Sequence, residues 1–372
     1  MMFVITIRAL GWALARKPLV RQLRPMNSTP STLMDALELG SNFRGYGWDW
    51  SHGVHIPRET RPSNRLGFIL YTALSAIAHA FAYCILTTAI RTFSRASFAI
   101  LDETLPFLDR AIRVIFPVGI GELSVGSIFD QSLPFYLRFP RSSVISILGF
   151  ACIYVGLRTY YDLCTIIGVV ILGQDPTQWP LAFDAPWRAT SLTDAWGRSW
   201  QQWLRQVFLT LGGYPLSFIL GSTGIVIGAF LASAVFHHIG MMTLNSKNDF
   251  WRMLVGFEMM AVGINLERVF KYVTRKKVRG LAGWIWTMSW ILLWANVLVE
   301  GFVKAGLFGF STFLDLAPPL RMSVEYLATE IDNLLHAISS VITWMWGCYT
   351  MHFDVVTLYD SITLVCRIQS LS

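Results

Sequence analysis

The sequence predicts an all-α, polytopic integral membrane protein with about six to nine transmembrane helices. Three observations carry this. Of 372 residues, 54% are hydrophobic and only 14% are charged, where a soluble domain carries roughly 25% charged residues. The apolar residues fall in runs long enough to cross a bilayer, which takes ~20 residues per helix. The Lys and Arg behind the formal charge of +7 gather in short clusters between those runs, as in loops facing an anionic leaflet. No nucleic-acid-binding motif accompanies them, so the expected partner of this charge is the lipid bilayer and not nucleic acid.

Taken in order, residues 1–45 read as an N-terminal interfacial helix and lead-in. Phe3, Ile5, Leu10, Trp12 and Leu19 alternate there with Arg8, Arg16, Lys17 and Arg21, the mixture of a helix lying in the membrane surface. Arg8 inside the apolar part and the missing small-residue cleavage site argue against a signal peptide. The first clear span is Leu66 to Ile90. Residues 97–129 are ambiguous because Asp102, Glu103, Asp109, Arg110, Arg113 and Glu122 interrupt the pattern. Ser143 to Leu172 is a longer span in which Arg158 and Asp162, one turn apart, are expected to neutralise one another.

Val207 to Met242 contains no Asp, Glu, Lys or Arg and is too long for one crossing. Gly212, Gly213, Pro215, Gly221, Gly224 and Gly228 offer places to break it, so a broken helix or two short ones is expected. Trp251 to Val269, Leu281 to Val303 and Leu335 to Val355 follow. On the first of these, Glu258, Glu267 and Arg268 are expected to satisfy one another. The basic cluster Arg268, Lys271, Arg275, Lys276, Lys277, Arg279 marks a cytosolic loop, whereas Arg58, Arg61 and Arg65 before the first span and Arg91 and Arg95 after it leave the early topology open. No internal repeat or linker is visible, and residues 1–372 read as one integral membrane domain. Cys84, Cys152, Cys164, Cys348 and Cys366 show no metal-ligand or disulfide spacing, so no metal is expected.

Two segments carry the chemistry. In the first, Ser191 followed by Asp194 is a helix-start signal, and a helix beyond it would place Trp196, Trp200 and Trp203 on one face with Arg198, Gln201, Gln202 and Arg205 beside it. This is either an aromatic and guanidinium wall for the phosphates of a nucleotide-containing donor such as acyl-CoA, or an interfacial helix anchored by Trp and Arg. In the second, His237 and His238 end the uncharged run. Neutral imidazole is a good general base near pH 7, and adjacent helical residues point about 100 degrees apart, so one of the two at most faces a given cavity. A hydrogen-bonded histidine at a polar helix end is the other reading.

The stretches Asn42-Phe-Arg-Gly-Tyr-Gly-Trp-Asp-Trp50, Pro186-Trp-Arg-Ala-Thr-Ser-Leu-Thr-Asp-Ala-Trp-Gly-Arg-Ser-Trp-Gln-Gln-Trp-Leu-Arg205 and Ser233-Ala-Val-Phe-His-His-Ile-Gly240 resemble, in order, the motifs of wax synthase-like membrane-bound O-acyltransferases. They look most like those of fungal members that acetylate terpenoid and related secondary metabolites. The catalytic core motifs would then lie within residues 186–240. The resemblance implies that His237 is the general base that deprotonates an acceptor hydroxyl for attack on an acyl-CoA thioester. It implies that Gln201 occupies a second catalytic position, where relatives carry His or Asn, and that Trp196, Arg198, Trp200 and Arg205 bind the donor. Gln can hydrogen-bond there but cannot act as acid or base. Ala234 and Ala195 also depart from the motif, and fewer residues precede the first element than in relatives.

The function expected from this resemblance is transfer of acetyl from acetyl-CoA, a co-substrate and not a resident cofactor, to a hydroxyl of a terpenoid or similar acceptor, in the endoplasmic reticulum membrane. Wax ester synthesis from a longer acyl-CoA and a fatty alcohol is the second expectation. A transporter or an inactive paralogue is the alternative of another class.

Overall fold

The computed structural model describes residues 12, 17–22, 24, 31–42, 45–49, 53–93, 127–129, 135–244, 249–309, 312–338 and 341. Most of residues 1–45's interfacial helix, most of 97–129 and most of Leu335 to Val355 lie outside the described residues, as do Arg44 and Trp50. The regular structure described is helical; the one extended pairing among these residues is a single antiparallel bridge between Arg21 and Trp48. The helices are α1 (Thr32–Ser41), α2 (Arg65–Phe93), α3 (Phe135–Ile166), α4 (Tyr214–Met242), α5 (Phe250–Thr274), α6 (Gly280–Lys304) and α7 (residues 318–338).

Among the described residues, four helical stretches are long and apolar enough to cross a membrane: Arg65–Phe93, Phe139–Ile171, Arg205–Met242 and Gly280–Lys304. The protein is an all-α integral membrane protein. Helix α5, expected as a span, is formed but is not among the four, because Arg252, Glu258, Glu267, Arg268 and Lys271 interrupt its apolar face. Those charges do not satisfy one another as expected. Glu267 bonds backbone elsewhere, Arg268 donates to the Ser222 carbonyl and to Asn265, and Glu258 has a buried carboxyl oxygen with no partner among the described residues.

Helices α2 and α3 pack along their length. Their contact is close at Gly156, where an added Cβ would sit 3.2 Å from the Tyr83 ring. Thr87 reaches Cys152 across the interface at 3.4 Å. Helices α5 and α6 form an antiparallel pair through Gly256 against Leu298 and Gly301 against Met253. Ala234, Met253, Phe257, Leu298, Val299 and Phe302 build the main core with Ile145 and Cys152 of α3.

The uncharged run at 207–242 does break, as expected. A short helix Arg205–Phe208 passes into a π-helical turn, Leu209–Gly213, and on into α4. Gly221 then reverses the chain at φ 58, ψ −140, a conformation reserved for residues without a Cβ. Residues 205–220 and 222–242 are therefore the two legs of a helical hairpin. The legs touch backbone to backbone: a Cβ on Gly212 would lie 1.9 Å from the Gly228 carbonyl oxygen, and one on Gly228 would lie 2.1 Å from that of Gly212. Small residues allow this approach where the hydrophobic effect offers little between helices in lipid. Phe208 against Phe236, with ring centroids 5.6 Å apart, closes the open end. Phe218 and Ile219, 90% and 79% exposed, form the tip.

Gly228→Ala should accordingly force the legs apart and destabilise the protein by about 1 to 3 kcal/mol, the usual range for overpacking. Gly240→Ala, where nothing lies within 4 Å of the new Cβ, should leave it unchanged. Thermal unfolding of the detergent-solubilised protein compares the two.

Candidate active site

Ser191, in extended conformation, accepts a hydrogen bond from the Asp194 N–H at 3.0 Å and caps the turn Leu192–Asp194. The turn is fixed from outside by Glu267 of α5, only 6% exposed. One carboxyl oxygen accepts from the Leu192 N–H at 2.6 Å and from the Trp286 indole at 3.2 Å. The other accepts from the Thr193 N–H at 3.1 Å and its hydroxyl at 2.8 Å. A carboxylate at a helix start satisfies donors that the helix cannot and favours the positive end of its dipole. The sequence carries no local sign of this contact, since its partners are 75 residues apart.

The helix does not continue to Arg205 as the spacing predicted. It widens to a π-helical turn at Ala195–Ser199 and stops at Trp200, which is extended at φ −74, ψ 162. The two glutamines stabilise the stop. The Gln202 amide donates to the carbonyls of Trp200 at 3.0 Å and Trp196 at 3.4 Å, while the Gln201 carbonyl accepts from the Trp203 N–H at 2.7 Å. The three tryptophans therefore separate. Trp196 and Trp200 stay together with centroids 5.8 Å apart. Trp203 turns away and stacks on Tyr161 at 5.2 Å, in a second cluster with Trp179 and Phe183.

Trp196 and Trp200 form one wall of a cavity of about 560 Å³, whose other walls include Phe150 and Tyr154 of α3, Trp187, and Met288 of α6. The size falls inside the roughly 300 to 1,000 Å³ typical of small-molecule sites. The lining is almost wholly apolar. Its polar exception on α3 is Ser146, whose hydroxyl donates to Asn296 at 3.1 Å. Trp187 and Trp284 meet at another edge, the Trp284 indole donating to the Trp187 carbonyl at 2.8 Å.

Of the residues expected to bind the donor, Arg198 lies outside this wall with its side chain 61% exposed, 3.8 Å from Asp194. Arg205 points toward the upstream segment, where an added Cβ on Gly53 would come within 3.6 Å of its guanidinium. The upstream motif is a compact loop under α1. Gly45 and Gly47 have φ of 69 and 83, and the Trp48 indole donates to Glu38. Glu38, Asn42 and Tyr46 share a small cavity with Trp203 and Tyr161, so the first two motifs meet there.

The third motif lies on the second hairpin leg. Phe230 packs edge-on against Trp196 at 5.8 Å. His237 follows two turns later, ~10 Å along the axis, with Ser233 and Ala234 buried between. His237 does not line the cavity. It sits among Phe236, Phe257 at 4.5 Å and Phe302 at 6.3 Å. Its Nδ1 donates to the Ser233 carbonyl at 2.8 Å. Since a carbonyl only accepts, Nδ1 holds the proton, and Nε2 keeps its lone pair with no partner among the described residues. His238 points elsewhere, against Phe250 at 4.9 Å.

The described residues thus combine an all-helical membrane fold, a glycine hairpin that bears His237 and an apolar aromatic cavity. Residues 179–258 match the membrane bound O-acyl transferase family. The chain is 25% identical over 292 residues to acetyltransferase sirH of Emericella nidulans, covering 72% of this chain and 59% of that one. It is 24% identical over 337 residues to acetyltransferase ple2 of Rhodocybe pseudopiperita, covering 82% and 78%. To O-mevalon transferase yanI of Aspergillus niger it is 28% identical over 185 residues, covering 50% and 37%. The chain thus spans about three fifths of sirH. Residues 179–258 thus resemble the membrane bound O-acyl transferase family, and longer stretches of the chain are similar to fungal proteins named acetyltransferase.

Glu267→Ala should strip the acceptors from two backbone N–H groups and an indole. A cost of about 3 kcal/mol or more follows from buried donors left unpaired. Indole fluorescence of Trp196 and Trp200 should shift as their wall loosens, whereas Glu258→Gln should leave both stability and emission near wild type.

Proposed function

We propose that this protein is an O-acyltransferase that moves an acyl group, acetyl from acetyl-CoA, onto a hydroxyl of a terpenoid or similar polycyclic secondary metabolite in the endoplasmic reticulum membrane. The observation that carries the reading is the state of His237. With Nδ1–H bound to the Ser233 carbonyl, Nε2 presents a lone pair inside an aromatic enclosure on the motif helix. The acceptor hydroxyl loses its proton to Nε2, its oxygen attacks the thioester carbonyl, and CoA leaves as the thiolate, which is protonated in turn.

The aromatic cavity suits the apolar ring system of the acceptor, whose reacting hydroxyl then has to extend past Phe230 toward His237, ~10 Å along α4. Trp196 and Trp200 are its donor-side wall, and Arg198 is exposed beside them for the charged end of CoA. Arg205, beyond the stop at Trp200 and turned toward Gly53, is the second guanidinium available to the phosphates. Gln201 acts by holding the turn that separates Trp200 from Trp203. The curated relatives include proteins named acetyltransferase and one named O-mevalon transferase, and the names of the former support acetyl as the group transferred. Wax ester synthesis is the second reading, favoured by the apolar lining of the cavity.

Release of free CoA by microsomes supplied with acetyl-CoA or palmitoyl-CoA and a panel of terpenoid and fatty alcohols tests this. His237→Ala should lower turnover by at least about a hundredfold while His238→Ala is mild. Gln201→His should preserve or raise the rate. His237-independent turnover, or none from folded protein, would reject the assignment.

A further inference from the structure

A second histidine has the same local construction as His237. Ser75-Ala-Ile-Ala-His79 on α2 repeats the pattern Ser233-Ala-Val-Phe-His237 on α4. His79 Nδ1 donates to the Ser75 carbonyl at 2.7 Å, with the Ser75 hydroxyl 3.2 Å away. In His237 the corresponding distances are 2.8 Å to the carbonyl and 3.4 Å to the hydroxyl. By the same reasoning, the neutral His79 imidazole has its lone pair on Nε2, which has no partner among the described residues.

His79 differs in what surrounds it. The Ser75 hydroxyl donates to Asp162 of α3 at 2.7 Å, and Asp162, 0% exposed, is paired with Arg158 at 3.2 Å. The other carboxyl oxygen of Asp162 is buried and has no partner among the described residues. The expected Arg158 and Asp162 pair therefore exists, but it leaves one acceptor open. Leaving such an oxygen unpaired inside a membrane bundle costs about 1 to 3 kcal/mol, and ionisable groups at that depth mark sites more often than they serve packing.

Tyr154 stands between this cluster and the cavity. It lines the cavity beside Trp187, its ring meets His79 edge-on at 6.3 Å, and it lies one helical turn before Arg158 on α3. The cluster sums to zero charge and offers two unfilled acceptors, His79 Nε2 and an Asp162 oxygen. That combination fits a neutral hydrogen-bond donor and disfavours an anion.

We propose that Ser75, His79, Arg158 and Asp162, which do not line the aromatic cavity but lie behind its Tyr154 wall, form a second polar subsite next to it. It takes a hydroxyl of the acceptor other than the one acylated, so that the protein selects apolar polycyclic molecules bearing two hydroxyls over those bearing one. The proposal rests on the cavity being the acceptor site but not on acyl transfer itself.

The test is equilibrium binding of radiolabelled polycyclic probes to microsomes carrying the full chain, each probe supplied as a monol and as the matching diol. Wild type should bind a diol about tenfold more tightly than its monol, the value of one added buried hydrogen bond. His79→Phe should reduce the diol to the affinity of the monol while leaving the monol unchanged. His79→Gln, which keeps an amide oxygen or nitrogen near the position of Nε2 and is the gentler change to the fold, should restore part of the preference. His237→Ala should keep it in full. Equal affinities in wild type, a preference that survives His79→Phe, or failure of every probe to bind overturns the subsite. A His79-dependent preference in protein that releases no CoA would instead reject the acyltransfer reading and leave the subsite standing.

Discussion

The carboxylate of Glu267 is the constraint on which the candidate site depends. Buried on α5, it holds two backbone N–H groups, a hydroxyl and an indole through its two oxygens. It thereby ties the start of the tryptophan segment to α5 and, through Trp286, to α6. A charge at this depth is tolerable only when its lone pairs are filled, and here four donors fill them. The wall made by Trp196 and Trp200 hangs from this tie, as does the contact of Trp196 with Phe230 on the hairpin.

The hairpin supplies the second requirement. Lipid gives apolar helices little reason to associate, so close packing must come from shape. Gly212 and Gly228 let the two legs meet at backbone distance, and Gly221 lets them reverse. His237 is thereby placed on a leg that packs against α5, with Phe257 and Phe302 around its ring. The same Ser and His spacing that orients its imidazole recurs on α2, where it meets a different environment of Asp162, Arg158 and Tyr154. One local device thus serves two positions whose chemistry is set by neighbours from other helices.

The glutamine pair shows how far local sequence reaches. Gln201 and Gln202 stand side by side beside the tryptophans, and a regular helix would have placed both along its flank. Instead each bonds to backbone released where the helix stops at Trp200. That stop divides three tryptophans, spaced four and three residues apart, into two that line the cavity and one that stacks on Tyr161. Helical spacing holds only while the helix continues, and the widening at Ala195–Ser199 is not encoded by any residue there that forbids a regular helix.

By itself the sequence determined the membrane class, the apolar helices at Leu66 to Ile90, Ser143 to Leu172 and Leu281 to Val303, the break within 207–242 and the order of the three motifs. Each follows from local quantities: charge density, run length, glycine content and the spacing of residues near one another in the chain. Only the tertiary structure decided which side chains meet from one helix to another. The capping of residues 192 and 193 by Glu267, the separation of Trp203 from Trp196, the cavity beside Tyr154 and the meeting of Ser75 with Asp162 all join residues from different helices or depend on where a helix ends. Such contacts are set by how helices pack, which distributes its energy over many distant residues and leaves no periodic trace along the chain.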